Sequence, residues 1–252
     1  MLFRSHGLTT AQLNAVSTTS LDALTASNLS TTQVSGLSAT TLNNLTTTQL
    51  GALTSTQTQA LSTTQLNALS STSIDALTVT SLSTAQVSGL STTAITNLTT
   101  TQADALTTTQ VGSLTASLIN NLSSTEVQGL STTQANALTS AQLGGLATAT
   151  FDNFTTTQLG ALSSTQAHGL TTTQLNAIST TSLDALTASN LSTAQVSGLT
   201  TTAIGALTTT QADAFTTTQV GSLTAAQIDN LSSTEVQGFG AGQLGEIGRA
   251  HV

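Results

Sequence analysis

The chain has no proline, cysteine, tryptophan or tyrosine, and its 252 residues include only two cationic side chains, Arg4 and Arg249. Without cysteine there are no disulfide bonds and no thiolate-bound metals. Nucleic acids and anionic lipids are held mainly by Lys and Arg, so the lack of cations argues against both as partners. No apolar run approaches the roughly 20 residues of a membrane span. The composition therefore predicts no nucleic-acid partner and no membrane span in this chain.

An eight-residue pattern fills the chain instead, and Thr155–Leu162, reading TTTQLGAL, is a representative copy. Position 1 is almost always Ser or Thr, position 4 is usually Gln, position 5 is nearly always apolar, position 7 is small, and position 8 is Leu or a close substitute. Residues 9–239 divide completely into 27 such octads and three five-residue repeats, the pentads 25–29, 78–82 and 187–191. We expect each pentad to shift the phase of the pattern and to form a local irregularity.

The octad has the features of a short helix. Ser or Thr followed three residues later by Gln is a capping box, in which each side chain pairs with the other residue's backbone N–H. Positions 5 and 8 share one face of a helix but lie on opposite faces of a strand. Each octad should form about six helical residues, or roughly 9 Å of rise, followed by a corner.

A helix this short is not stable alone, so its neighbours must hold it. Stability has to come from stacking many copies against one another, as in other repeat proteins. We therefore predict an all-α solenoid of very short helices, one per octad, with the residues at position 8 in its core. The alternative is a β-solenoid that binds ice or a carbohydrate on a Thr-rich face.

A longer repeat lies above the octad, because residues from about 30 to 130 recur at 139–239 with an offset of 109. Residues 6–245 are thus predicted to form one continuous solenoid. Residues 1–5 and 246–252 break the pattern and resemble translated sequencing-adaptor sequence at the ends of an environmental DNA fragment. We expect them to be artefactual ends, and the natural protein to extend further.

The octads of residues 9–239 resemble, in the style of their repeat, the Ser/Thr-Thr-x-Gln-Leu repeats of large adhesin-like and haemagglutinin-like proteins that bacteria secrete or display. The resemblance implies an extracellular or cell-surface location and a role as an elongated stalk or spacer. Adhesion or self-association through a uniform surface is an extension of that role. The resemblance implies no enzyme and no cofactor.

The acidic residues of the repeats fall in two columns. Seven aspartates occupy position 6, and two glutamates occupy position 4: Asp22, Asp75, Asp104, Asp152, Asp184, Asp213 and Asp229, then Glu126 and Glu235. A row of calcium ligands is one interpretation, but neighbouring positions add no second carboxylate, and neither a calcium-binding nonapeptide nor an EF-hand loop is present. We predict solvated aspartates, and glutamates that serve the capping box as Gln does.

The other chemically interesting residues have simpler interpretations. His168 has no cysteine or fixed acidic partner, so we predict neither a metal site nor a catalytic role for it. Threonine runs such as 99–101 and 216–218 resemble ice-binding arrays, but those arrays need alternate Thr on a β face. Seven N-x-S/T sequons arise where Asn is the next-to-last residue of a repeat, because the following repeat begins with the Ser or Thr of its N-cap. Glycosylation at these sequons would require secretion. They begin at Asn28, Asn44, Asn97, Asn121, Asn153, Asn190 and Asn230.

Overall fold

The computed structural model describes residues 7–250, which form two compact units that divide between Gly129 and Leu130. All regular structure in these residues is helical: 28 α-helices and three 3-10 segments, with no strand. The predicted all-α fold of short repeated helices is therefore confirmed, and the β-solenoid alternative is wrong. Residues 1–6, which include all of the first predicted artefactual end, and residues 251–252 of the second lie outside the described residues.

The helices contain four to six residues, except for the last one. In the first unit they are α1 Thr10–Ala15, α2 Thr18–Asp22, α3 Thr31–Ser35, α4 Ala39–Asn44, α5 Thr47–Gly51, α6 Ser55–Ala60, α7 Thr63–Asn67, α8 Ser71–Asp75, α9 Thr84–Ser88, α10 Thr92–Thr96, α11 Thr100–Ala105, α12 Thr108–Ser113, α13 Ala116–Ile119 and α14 Ser124–Gly129. In the second unit they are α15 Thr132–Ala135, α16 Ser140–Gly144, α17 Thr148–Phe151, α18 Thr156–Gly160, α19 Ser164–Ala167, α20 Thr172–Ala177, α21 Thr180–Ala185, α22 Thr193–Ser197, α23 Thr201–Gly205, α24 Thr209–Asp213, α25 Thr217–Val220, α26 Ala225–Ile228, α27 Ser233–Gly238 and α28 Ala241–Ala250.

Most helices begin at the predicted capping box. In seventeen of them the N-cap hydroxyl accepts the N3 amide, and the N3 side chain accepts the N-cap amide. At Thr155, for example, the hydroxyl lies 3.2 Å from the Gln158 amide nitrogen, and Gln158 Oε1 lies 2.7 Å from the Thr155 nitrogen. The backbone turns into the extended region at each N-cap, so one helix ends where the next is capped.

Within each unit, helices three places apart in the chain pack together. Examples are α3 with α6 and α9 with α12 in the first unit, and α18 with α21 and α24 with α27 in the second. Three repeats therefore complete one turn of the coil. This number had no signature in the sequence.

The pentads do not shift the coil, contrary to our prediction. Each forms a single 3-10 turn: Ala26–Asn28, Val79–Ser81 and Ala188–Asn190. Each buries its second and fifth residues, as an octad buries positions 5 and 8. A pentad is thus an octad without positions 2–4, and it still counts as one of the three repeats in a turn. The irregularity is confined to the missing first turn of helix.

The core contains the apolar side chains at positions 5 and 8, as predicted. Leu159 and Leu162 of the representative octad are 0% and 3% exposed. Val16 and Ile178 are exceptions in the closing column, because both are only partly buried. Gln at position 4 is also buried; Gln158 is 2% exposed. Burial of an amide requires partners for all of its polar atoms, and the capping box uses only the oxygen.

Position 7 is small because the preceding turn of the coil lies against it. A Cβ on Gly36 would lie 2.5 Å from Thr10 Cγ2, and one on Gly169 would lie 2.3 Å from the Ser140 carbonyl oxygen. Both separations are shorter than real Cβ contacts. Small residues at position 7 therefore allow neighbouring segments to approach closely.

Candidate functional site

The buried glutamines connect successive turns of the coil. Gln110 Oε1 accepts the N-cap amide of Thr107 at 2.8 Å, while its Nε2 donates to the carbonyl oxygens of Val79 and Leu82, each at 2.8 Å. One side chain thus caps its own helix and binds the backbone one turn earlier. We call the bonds from Nε2 the glutamine rung.

Rungs recur throughout both units, and the acceptor always includes the carbonyl of a closing residue. The glutamines with such bonds are Gln33, Gln49, Gln57, Gln65, Gln86, Gln102 and Gln110 in the first unit, and Gln158, Gln166, Gln174, Gln195, Gln211, Gln219, Gln227 and Gln243 in the second. The separation is 28 residues across octads and 25 where a pentad intervenes. Three complete repeats lie between acceptor and donor in either case.

The two glutamates at position 4 form the cap but not the rung. The amide of Ser123 donates to Glu126 Oε2 at 2.6 Å, and the amide of Ser232 donates to a carboxylate oxygen of Glu235 at 2.5 Å. The prediction that they serve the capping box is confirmed. A carboxylate has no N–H, however, so neither can form a rung, although both side chains are buried.

Most octads without Gln or Glu at position 4 obtain the acceptor for their N-cap amide from another turn. In five of them the N-cap amide donates to an Asn or Asp at position 6 of the fourth repeat before: Ser38 to Asn14, Ser70 to Asn43, Ser91 to Asn67, Ser179 to Asp152 and Thr200 to Asn176, at 2.7–3.1 Å. The four asparagines also donate through Nδ2 to a backbone carbonyl. We call this contact the position-6 cap. Sequence reasoning missed it, although the Asn residues and the Gln-less octads stand at fixed distances.

Asp152 is the acidic member of this group. Its Oδ1 accepts hydrogen bonds from the Ser179 amide at 3.1 Å, from the Ser179 hydroxyl at 2.7 Å and from the Ser182 hydroxyl. Burial is the largest single influence and raises the pKa of Asp152, but the bonds from Ser182 and Ser179 together outweigh it and leave the pKa below its ordinary value. Asp152 is therefore a structural cap and not only a solvated helix residue.

Asp184 competes with a glutamine for one donor. The Thr208 amide donates to Asp184 Oδ1 at 3.3 Å instead of to Gln211, and the Thr208 hydroxyl makes no cap bond. Gln211 Oε1 is left buried without a partner. Burial raises the pKa of Asp184 above its ordinary value, and the bond from Thr208 opposes that rise. An unpaired buried acceptor is costly, so this is a strained copy of the usual arrangement.

The remaining acids do not form a row. With three repeats per turn, Asp22, Asp75 and Asp104 of the first unit lie on three different sides of the coil. In the second unit, Asp213 and Asp229 are exposed and lie on different sides. Among residues 7–250 no group of three His, Cys, Asp or Glu side chains is arranged to hold a metal ion.

His168 and the threonine runs lie on the surface. His168 is exposed and is the C-cap residue of α19. The first threonine of each run, Thr99 or Thr216, caps its helix as predicted, and the following threonines are exposed. They follow helical spacing, so the flat β array expected of an ice-binding surface is not formed.

The sequon asparagines lie at the corners between helices. Asn28, Asn44, Asn121 and Asn230 are exposed, whereas Asn97, Asn153 and Asn190 are partly buried. The Nδ2 atoms of Asn121 and Asn230 each donate at 2.8 Å to a carbonyl four residues earlier. The hydroxyl residue of most of these sequons is a helix N-cap. Glycosylation at these sites stays a prediction.

Comparison of the chain with protein-family models and with curated proteins found no match. Among the described residues, no helix has the length and apolar character needed to cross a bilayer. The interpretation of function therefore depends on the geometry of the coil itself.

Proposed function

We propose that this chain is a non-enzymatic structural segment, an elongated stalk or spacer, of a secreted or surface-displayed bacterial protein. The observation that supports this function most is the use of the buried polar side chains. Gln110 and its equivalents form rungs and caps, and both buried glutamates and the partly buried Asp152 form caps. The groups that an enzyme would use for chemistry hold the coil together here.

The rungs also fit a role in which length matters. Each glutamine binds only the preceding turn of the coil, so every added repeat brings its own interface and its own stabilisation. A segment of this kind can be lengthened without redesign of a central core. The surface residues are mainly Ser and Thr, and the only large hydrophobic side chain exposed among the described residues is Leu244, at 44%. Such a surface keeps a long segment from aggregating.

Small-angle X-ray scattering on the purified chain, combined with limited proteolysis, tests the proposal. A spacer should give a rod-like scattering profile with a cross-section that stays constant when a block of octads is removed. Proteolysis should shorten it progressively from its ends. A compact globular profile, or cleavage into two stable globular fragments, would reject the spacer function. Adhesion is tested separately by binding of the same chain to bacterial and host-cell surfaces.

A further inference from the structure

The first pentad leaves a recess in the side of the coil. Since a pentad lacks positions 2–4, the first turn of its helix and its glutamine are missing. Beside the first pentad this omission leaves an open recess of about 400 Å³, lined by Asp22, Leu24, Thr25, Ala26, Thr46, Thr48, Gln49 and Ala52. A volume of this size lies within the usual range for small-molecule sites, roughly 300–1,000 Å³. We call it the pentad recess.

The residues that line the recess recur as a set. At the third pentad all eight residue types are repeated 162 positions later, from Asp184 to Ala214, and at the second pentad seven of the eight recur 53 positions later, with Val79 for Ala26. Each of the three pentads follows an octad with Asp at position 6, whereas only four of the other 24 octads carry Asp there. The carboxylate is therefore associated with the recess and not with the octad in general.

The Asp22 carboxylate and the Thr25 hydroxyl lie at the mouth of the first recess. The side chain of Asp22 is exposed and makes no hydrogen bond to the described residues. Thr25 stands at an N-cap, but its hydroxyl makes no cap bond. Asp75 and Thr78 repeat this situation at the second pentad. A carboxylate and a free hydroxyl thus lie beside a floor of Leu and Ala side chains.

In the third copy the carboxylate of the corresponding aspartate, Asp184, turns inward. Asp184 takes the Thr208 amide, and Gln211 Oε1 is left buried without a donor. In the first copy the equivalent amide, Thr46, instead donates to Gln49 at 2.9 Å. A ligand that donates hydrogen bonds to Asp184 would free the Thr208 amide for Gln211. Binding would therefore relieve an unfavourable contact in the protein.

We propose that the pentad recess, together with the equivalent positions at the other two pentads, binds neutral saccharides. Vicinal hydroxyls of a sugar would donate to the carboxylate, the threonine hydroxyl would accept or donate, and the C–H face of the ring would lie on the alanine and leucine side chains. An anion would be repelled by Asp22. One carboxylate is also too few for a calcium site, and the described residues hold no acidic cluster that could supply more. The site goes beyond the spacer function, which does not depend on it.

Nuclear magnetic resonance titration of the full chain with glucose, galactose, mannose and N-acetylglucosamine tests the proposal. At least one sugar should produce saturable shifts of the amide signals of Thr25 and Thr46 and of their equivalents at the other pentads. The Thr208 amide should shift most, because it changes its acceptor from Asp184 to Gln211. Replacement of the three recess aspartates by serine, a residue that position 6 accepts elsewhere, should weaken binding at least tenfold. The same change at Asp229, which lies beside no pentad, should have no effect.

A second variant keeps the test independent of the folding of the triple mutant. Ala52→Leu fills only the first recess, so it should abolish the shifts at Thr25 and Thr46 and leave those at the other two pentads. The proposal is overturned if none of the four sugars gives saturable shifts, or if the triple variant binds as tightly as the native chain. It is also overturned if only calcium or a lysine-containing peptide shifts these signals. None of these results would bear on the scattering test of the spacer.

Discussion

Replacement of Glu126 by glutamine should stabilise the protein, because this position holds a cap without a rung. Glu126 is 6% exposed and accepts the Ser123 amide, but it has no N–H to donate. By the 28- and 31-residue spacing of other rungs, a glutamine here would meet the carbonyls of Leu98 and Ile95. Gln110 forms both equivalent bonds at 2.8 Å.

The size of the effect follows from those two bonds. A hydrogen bond within a protein contributes about 0.5–1.5 kcal/mol, and the glutamine would gain two such bonds from its Nε2. We therefore expect Glu126→Gln to raise the free energy of unfolding by about 1–3 kcal/mol. Most single substitutions lower stability, so a gain at a buried polar position is a demanding prediction.

Urea unfolding and amide hydrogen exchange measure this change globally and locally. The Ser123 amide and its neighbours in the same turn of the coil should exchange more slowly in the variant. Gln110→Glu is the matched reverse change, and it should lower stability by a similar amount while its helix cap is kept. Glu235→Gln should repeat the gain in the second unit. Equal or lower stability of both glutamine variants would refute the rung as a source of stability.

Asn67→Ala should destabilise the protein by about 1–3 kcal/mol, because the N-cap amide of Ser91 loses its acceptor. Ala94→Gln in the same chain should restore the stability by forming a capping box with Ser91. Additive effects of the two substitutions in a double-mutant cycle would contradict this. Ser81→Asn should raise the thermal unfolding midpoint. At the equivalent place in the third pentad, Asn190 donates to the carbonyl of a closing residue at 3.0 Å, and an asparagine at position 81 would meet the Leu53 carbonyl in the same way. An unchanged midpoint would show that this bond does not form. Because the pKa of Asp152 is lowered by folding, its contribution to stability is present above about pH 4 and is lost as pH falls through the folded-state value. Asp152→Asn keeps the cap, but the free energy of unfolding of the variant should fall less than that of the native chain as the pH is lowered below about 4. Identical pH profiles of the two proteins in unfolding experiments would contradict this role of Asp152.

The position and buried face of each helix could be predicted from the sequence, because each octad contains all the signals that define its own helix. The hydroxyl at Thr155, the glutamine at Gln158 and the apolar residues at Leu159 and Leu162 together fix where a helix begins and which side it buries. These signals lie within eight residues, and each has one dominant interpretation. The β-solenoid alternative could have been rejected on the same spacing.

The connections between turns were harder to infer because they join residues 22–31 positions apart. The capping box accounts for the Oε1 atom of Gln110, but nothing within its octad indicates which carbonyls its Nε2 atom binds. The effect of the pentads was hard to predict for a related reason. A pentad is three residues shorter than an octad, which suggests a shift of phase, but it takes the place of one whole repeat in a turn of the coil. A useful signal was nevertheless present. Octads that lack Gln, such as the one beginning at Ser91, follow an Asn at a fixed number of repeats, and Asn67 supplies the missing acceptor.

The rungs have a genetic consequence, because their acceptors are main-chain oxygens. Gln57 binds the carbonyl of Leu29 and Gln166 binds that of Leu138, and neither bond depends on which side chains the older turn carries. An octad with Gln at position 4 can therefore be joined by recombination to any preceding octads, and its rung finds its acceptors already in place. A gene made of such segments can expand, contract and drift in its outward-facing codons while the protein remains folded at every step.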